Sequence, residues 1–300
     1  MGGQIVGHKL LFVLRNFGVT QLHAGLHKTG TTTLQRSLAS AGLLQRARRA
    51  DFREPDSFRR VLLEAASNKR VVSSEHLLGE MYDIYSTAVE RFRHIQQVLE
   101  RSQLTLYVRP HTQWHAAAYS QIVQQGTILS QRDYEAQIQD QRYFRWKQLA
   151  SDLLGLSSPS AKVCIRVSGD VVADYARIIG VPLKSRAWSN QSLSPMALEA
   201  LVRLRDEGFS PSSNARQALK NFMPESRLSC SVFSRSFQTR LKGMKMDWIQ
   251  FSEEMASSGQ SISPNWAQSY DDEIRPPASE IFTTRDLTAA KDHIRFAAGR

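Results

Sequence analysis

Val19-Thr20-Gln21-Leu22-His23-Ala24 runs directly into Gly25-Leu26-His27-Lys28-Thr29-Gly30-Thr31-Thr32-Thr33, and that into Leu34-Gln35-Arg36-Ser37-Leu38. The first segment is a short β-favouring run. The last places Leu34 and Leu38 on one helical face, which Ala41 and Gly42 extend. Between them lie two glycines, a lysine and the threonines Thr31, Thr32 and Thr33. The order is therefore strand, glycine-bearing loop, helix. Such a loop points backbone N–H groups at an anion, and the helix N-terminus adds positive potential. The threonines can cap the helix and offer hydroxyls, while Lys28 brings a full charge. The nucleoside-triphosphatase pattern G-x-x-x-x-G-K-[ST] is nearly present but fails, since Thr31 stands where its lysine belongs.

The same alternation continues downstream. Arg70-Val71-Val72-Ser73-Ser74 reads as a second strand, Leu104-Thr105-Leu106-Tyr107-Val108 as a third and Lys162-Val163-Cys164-Ile165-Arg166-Val167 as a fourth. Helical spacing is expected over residues 84–99, 114–123, 134–154, 171–179 and 198–204. Short apolar strands interleaved with helices specify an α/β fold: a P-loop-like parallel sheet flanked by helices. After Pro182 strand signals fade, so residues from about 190 read as helices and loops. The expectation is one domain over 1–300, with a core at about 19–190 and a mostly helical or irregular C-terminal part, 191–300, packed on it. Ligands of such sheets bind outside the carboxyl ends of the strands. Lys28 follows the first strand, Glu75 and His76 the second, and Arg109 the third.

Composition narrows the function classes. Lys plus Arg number 39 against 28 Asp plus Glu, a net +11 at pH 7, which favours anionic partners. The basic residues are scattered rather than interleaved with aromatics on one element, which argues against nucleic acid. The densest knot, Arg46, Arg48, Arg49, Arg53, Arg59 and Arg60, reads as a solvated helix face. Cys164 and Cys230 make neither a disulfide framework nor a zinc pair. Leu10–Leu14 is too short for a membrane span or a secretory signal, and Val6 stands where a myristoylation signal needs Ser or Thr. The expectation is a cytoplasmic protein without a transmembrane segment. Trp114 and Trp146 read as core residues, and His23, His111 and His115 as structural or surface groups.

His27-Lys28-Thr29-Gly30-Thr31-Thr32-Thr33-Leu34-Gln35 resembles the 5′-phosphosulfate loop of sulfotransferases that use 3′-phosphoadenosine 5′-phosphosulfate (PAPS). The likeness is nearest to the bacterial branch related to glycan sulfotransferases. Val72-Ser73-Ser74-Glu75-His76-Leu77 is similar to the second-strand segment of that branch, and Val108-Arg109-Pro110 through Ala118-Tyr119-Ser120-Gln121 to its 3′-phosphate strand and helix. Residues 143–146, 165–167 and 190–194 echo later segments more loosely.

The resemblance implies a sulfuryl transfer to a hydroxyl or amine of a carbohydrate acceptor, with adenosine 3′,5′-bisphosphate as product and no metal. It implies that residues from His27 to Thr33 (His27, Lys28, Thr29, Gly30, Thr31, Thr32, Thr33) hold the 5′-phosphate and sulfonate, with Lys28 stabilising the bridging oxygen. Arg109 would pair with the 3′-phosphate. The family's serine eight residues later is replaced by Ala117, for which Tyr119 or Ser120 would have to substitute. Glu75 is the first candidate for the base, His76 its rival; neighbours on a strand face opposite ways, so one of the two is expected to reach the site. Two other readings remain: an ATP-dependent small-molecule kinase with an altered loop, and an inactive nucleotide- or glycan-binding relative.

Overall fold

The computed structural model describes residues 18–26, 29–127, 129–167, 170–184, 193–209, 212–222, 230–257 and 273–298. Five parallel strands form its sheet: β1 (Thr20–Gly25), β2 (Leu44–Gln45), β3 (Val71–Ser73), β4 (Ser102–Tyr107) and β5 (Ala161–Arg166), in the order β2-β3-β1-β4-β5. β1 pairs with β4 from Thr20↔Ser102 to Gly25↔Tyr107, and with β3 at Leu22↔Val72 and His23↔Ser73. Both central strands are buried along almost their whole length, as strands covered on both faces must be. The two-residue β2 was not expected; Leu44 and Gln45 are too few to carry a periodic signal.

Helices α1 (Thr31–Ser40), α2 (Pro55–Ser67) and α3 (Ala88–Val98) link the first four strands. The chain steps outward from β1 to β2, then back across β3 to β4 and β5. Right-handed crossovers therefore place α1 on one face and α2 and α3 on the other. α6 (Trp146–Leu154) leads into β5, and α7 (Val171–Ile179) follows it. α1 packs on α7, whereas α3 packs on α2 and α6. The first contact buries Leu34 and Leu38 against Val171, Val172, Tyr175 and Ile179. α2 starts with Pro55, whose missing N–H is no loss at a first turn, and buries Phe58, Val61, Leu62 and Ala65 at helical spacing. Arg59 and Arg60 stand exposed on its other side.

Described residues within 1–109, 145–188 and 248–269 form one compact unit containing the sheet; those within 110–144, 189–247 and 270–300 form a second. In the second unit α4 (His111–Gln124) is buried on nearly every side, Trp114 completely. α5 (Gln131–Ile138) is capped by Ser130, whose hydroxyl accepts from Asp133 N at 3.1 Å. The single helix expected over 134–154 is in fact three pieces: α5, a short turn at Arg142–Phe144, and α6. Tyr143 and Phe144 are both buried yet fall off the Tyr134–Ile138 face, so the chain has to break to bury all four. Arg145, extended at φ −100°, starts α6, where Trp146 is fully buried in the first unit. The C-terminal region is largely helical: α8 (Pro195–Asp206), α9 (Ser213–Ala218), α10 (Arg235–Ser257), α11 (Ala278–Ile281) and α12 (Thr284–Ala298). Among the described residues, no helix is long and apolar enough to cross a membrane. Both cysteines are free thiols.

Candidate functional site

β1 ends at Gly25, a position where nothing larger fits. A Cβ there would lie 1.8 Å from Thr31 Oγ1, 2.9 Å from His23 Cε1 and 3.0 Å from Thr29 Oγ1. Thr29 closes the loop beneath, its N–H and hydroxyl both donating to Leu26 O at 3.1 and 2.6 Å. Gly30 then caps α1 in the left-handed region at φ 90°, where a side chain is strained. The first intrahelical bond of α1 is Leu34 N to Gly30 O at 3.1 Å. The amides of Thr31, Thr32 and Thr33 thus have no partner within the helix, as at any helix start. Thr31 Oγ1 is buried and has no hydrogen-bond partner among the described residues. A helix N-terminus with a buried, unpartnered hydroxyl beside it suits an oxyanion. His27 and Lys28 lie outside the described residues.

This loop sits at the point where the strand order reverses. β1 has β3 on one side and β4 on the other, and their carboxyl ends are the expected crevice. The β3 end is tied to the loop helix by Gln35, whose Nε2 donates to Ser73 O at 2.7 Å. Ser73 Oγ lies 2.8 Å from His23 Nδ1. His23 is fully buried between the Tyr107 and Tyr175 rings, at centroid distances of 5.4 and 5.5 Å. Burial lowers its pKa to about 3, so it is a neutral structural ring.

Glu75 and His76 do not lie on β3, which ends at Ser73; they occupy the turn that follows. Strand alternation therefore gives no ground for expecting them to face opposite ways, because both lie past the last residue of the strand. Both are half-buried. The turn is fixed by His76 N donating to Ser74 Oγ at 3.0 Å and by Arg91 donating to His76 O at 2.9 Å. His76 Nδ1 lies 3.2 Å from Glu80 Oε2. Arg49 donates to both Glu80 oxygens at 3.0 and 2.7 Å, and Arg53 lies 3.5 Å away. Burial lowers the pKa of His76, opposed by the Glu80 charge, and the ring is neutral near pH 7. A neutral imidazole that donates from Nδ1 to a carboxylate carries its lone pair on Nε2, the tautomer a general base needs.

Glu80 was not singled out in the sequence. Its only signal is the i,i+4 spacing from His76, and its arginines are some thirty residues away. Arg49 and Arg53 stand exposed, as expected of a solvated face, and also serve as the ion partners that hold this carboxylate.

At the β4 end, the carbonyl of Arg109 accepts from Trp146 Nε1 at 2.9 Å. Its guanidinium is partly buried, and desolvation lowers its pKa, although an arginine stays charged. Tyr107 just before it donates to Asp174 Oδ2 at 2.7 Å. Asp174 also accepts from Arg166 at 2.9 and 2.6 Å and from Arg177 at 2.9 Å, which ties β4, β5 and α7 together.

The remaining sequence candidates belong to the second unit. Tyr119 donates to Leu129 O at 2.8 Å, so its one donor is occupied. Ser120 Oγ accepts from Leu193 N at 3.0 Å and from Gln124 Nε2 at 3.1 Å, which leaves its own O–H to donate. Ala117 is buried. Among the described residues, no group of three His, Cys, Asp or Glu is placed to hold a metal ion.

The chain matches no family model, no curated protein and no solved structure.

Proposed function

We propose that this chain is a PAPS-dependent sulfotransferase acting on a hydroxyl or amine, with a carbohydrate as the acceptor. The observation that carries the reading is the loop at the start of α1: a left-handed glycine cap, three threonine amides without helical partners and a buried unpartnered hydroxyl, at the switch point of a parallel sheet. The order of candidate groups at neighbouring strand ends supports it, with the His76 turn on one side of the loop and Arg109 on the other.

In this reading the Thr31–Thr33 amides hold the 5′-phosphosulfate. Lys28 neutralises the bridging oxygen, and Arg109 pairs with the 3′-phosphate, a fork that lysine cannot reproduce. The acceptor oxygen attacks sulfur in line, and the bond from sulfur to the bridging phosphate oxygen breaks. The acceptor proton passes to the base. The Glu80-oriented ring favours His76 in that role over Glu75. Positioning and charge stabilisation do most of the work in such a displacement.

Calorimetry with adenosine 3′,5′-bisphosphate and with ATP plus magnesium tests the reading. Binding of the bisphosphate, lost in Lys28→Ala and Arg109→Ala, together with label transfer from PAPS to a glycan extract, is expected. Preference for ATP with magnesium would replace it with the kinase reading. Bisphosphate binding with no transfer to glycan, lipid or phenol acceptors would reduce the protein to a nucleotide-binding relative.

A further inference from the structure

The opposite edge of the sheet, where the strands begin, holds a cavity of about 460 Å³. That is within the range of small-molecule sites, roughly 300–1,000 Å³. Its walls are apolar, built from Leu43, Leu63, Val98 and Ile179, and Leu63 is 44% exposed although it lines the hollow. Arg70, just before β3, and Arg101, just before β4, line it as well. Because β3 and β4 flank β1, the two arginines enter from either side of the β1 start. Both residues are exposed, and among the described residues neither is held in an ion pair; Lys69 and Glu100 are the other charged residues in the lining.

Gln21 adds a third chemical element. It lines the cavity from β1, and neither its Nε2 nor its Oε1 has a hydrogen-bond partner among the described residues, although both atoms are shut off from solvent. A buried amide with donor and acceptor both unsatisfied is costly, on the order of 1–3 kcal/mol per group, and calls for an explanation. Swinging the side chain into the hollow would present both groups to an occupant.

We propose that this cavity binds an N-acylated amino acid: an acyl chain on the apolar walls, an amide paired reciprocally with the Gln21 amide, and a carboxylate between Arg70 and Arg101. The apolar walls, the Gln21 amide and the arginine pair then each have a complement, and an arginine fork suits a carboxylate. The site stands apart from the α1 loop, at the other end of the strands, and does not depend on the sulfotransferase reading.

The probe is N-decanoylglycine, titrated into the full chain and followed by calorimetry and amide NMR. Shifts are expected at Gln21 Nε2–H, Gly18, Ala65 and Ala66, with affinity reduced at least tenfold in Arg70→Gln/Arg101→Gln and in Leu63→Asp. Decanoate, lacking the amide, is expected to bind several-fold more weakly, and decyltrimethylammonium not at all. All the substituted arginines and Leu63 are exposed, so the variants should fold, and their binding of adenosine 3′,5′-bisphosphate should equal that of the parent chain. The proposal is overturned if N-decanoylglycine produces no shifts at these residues. Equal binding of the cationic amphiphile, indifference to the variants, or a Leu63-dependent self-association in place of ligand binding would overturn it too.

Discussion

Gly25 has no room for even a methyl group, because Thr31 Oγ1 already occupies that space. Gly25→Ala is therefore expected to cost about 1–3 kcal/mol by forced rearrangement of the loop, and to weaken bisphosphate binding at the same time. Urea denaturation of this variant beside Gly25→Ala/Thr31→Ala is the check. Removing the hydroxyl should return part of the loss, and an unchanged midpoint in the single variant would contradict the close approach. For the base, His76→Ala is expected to lower turnover 10²-fold or more, on the usual scale of general-base loss, with Glu75→Gln milder. The reverse ranking would transfer the role to Glu75. At this scale the sequence displayed the turn into α1 well, since Gly25, Gly30 and the threonines each carry a local backbone meaning; Lys28 lies outside the described residues. The sequence did not display Glu80, whose significance depends on Arg49 and Arg53 arriving from a distant turn.

Among the elements, α1 gains its place from both ends. Gly30 lets the chain enter at φ 90°, and Gln35 anchors the helix to the end of β3. Gly30→Ala is expected to destabilise by about 1–2 kcal/mol, the usual penalty for a side chain in the left-handed region. A second anchor is Asp174, which is almost fully buried and receives Tyr107, Arg166 and Arg177. Asp174→Ala should cost about 2–3 kcal/mol through loss of charge-assisted bonds. Arg177→Ala, at an exposed partner, should cost less than about 1 kcal/mol. Equal effects in the two would mean that the network is not centred on the carboxylate. Four strands and most connecting helices were legible because their patterns are local and long enough to count. β2 was too short, and the break after Ile138 follows from where Tyr143 and Phe144 must be buried, which periodicity does not encode.

Across the whole molecule, two buried histidines set an acid response. His23 keeps its neutral form down to about pH 3, and burial holds His115 well below its ordinary value. In the unfolded chain both protonate near pH 6.5. The unfolded state then binds more protons below that pH, so stability falls as pH drops below about 6.5, for His23 as far as about pH 3, by up to about 1.4 kcal/mol per pH unit for each ring. Proton NMR should show ring signals of His23 and His115 that do not titrate between about pH 7 and pH 5 in the folded protein. Normal titration of either near pH 6.5 would remove its share. The net charge of +11 is visible in composition alone, whereas the division into two units is not.

That division bears on how the chain matures. β5 pairs with β4 along its full length, yet residues 110–144 of the other unit are synthesised between them. A ribosome releasing the protein from its N-terminus therefore exposes the far side of β4 as an open edge until Ala161–Arg166 emerges. Pausing or truncation in that interval leaves an unprotected strand, and chaperone capture of nascent chains should peak there.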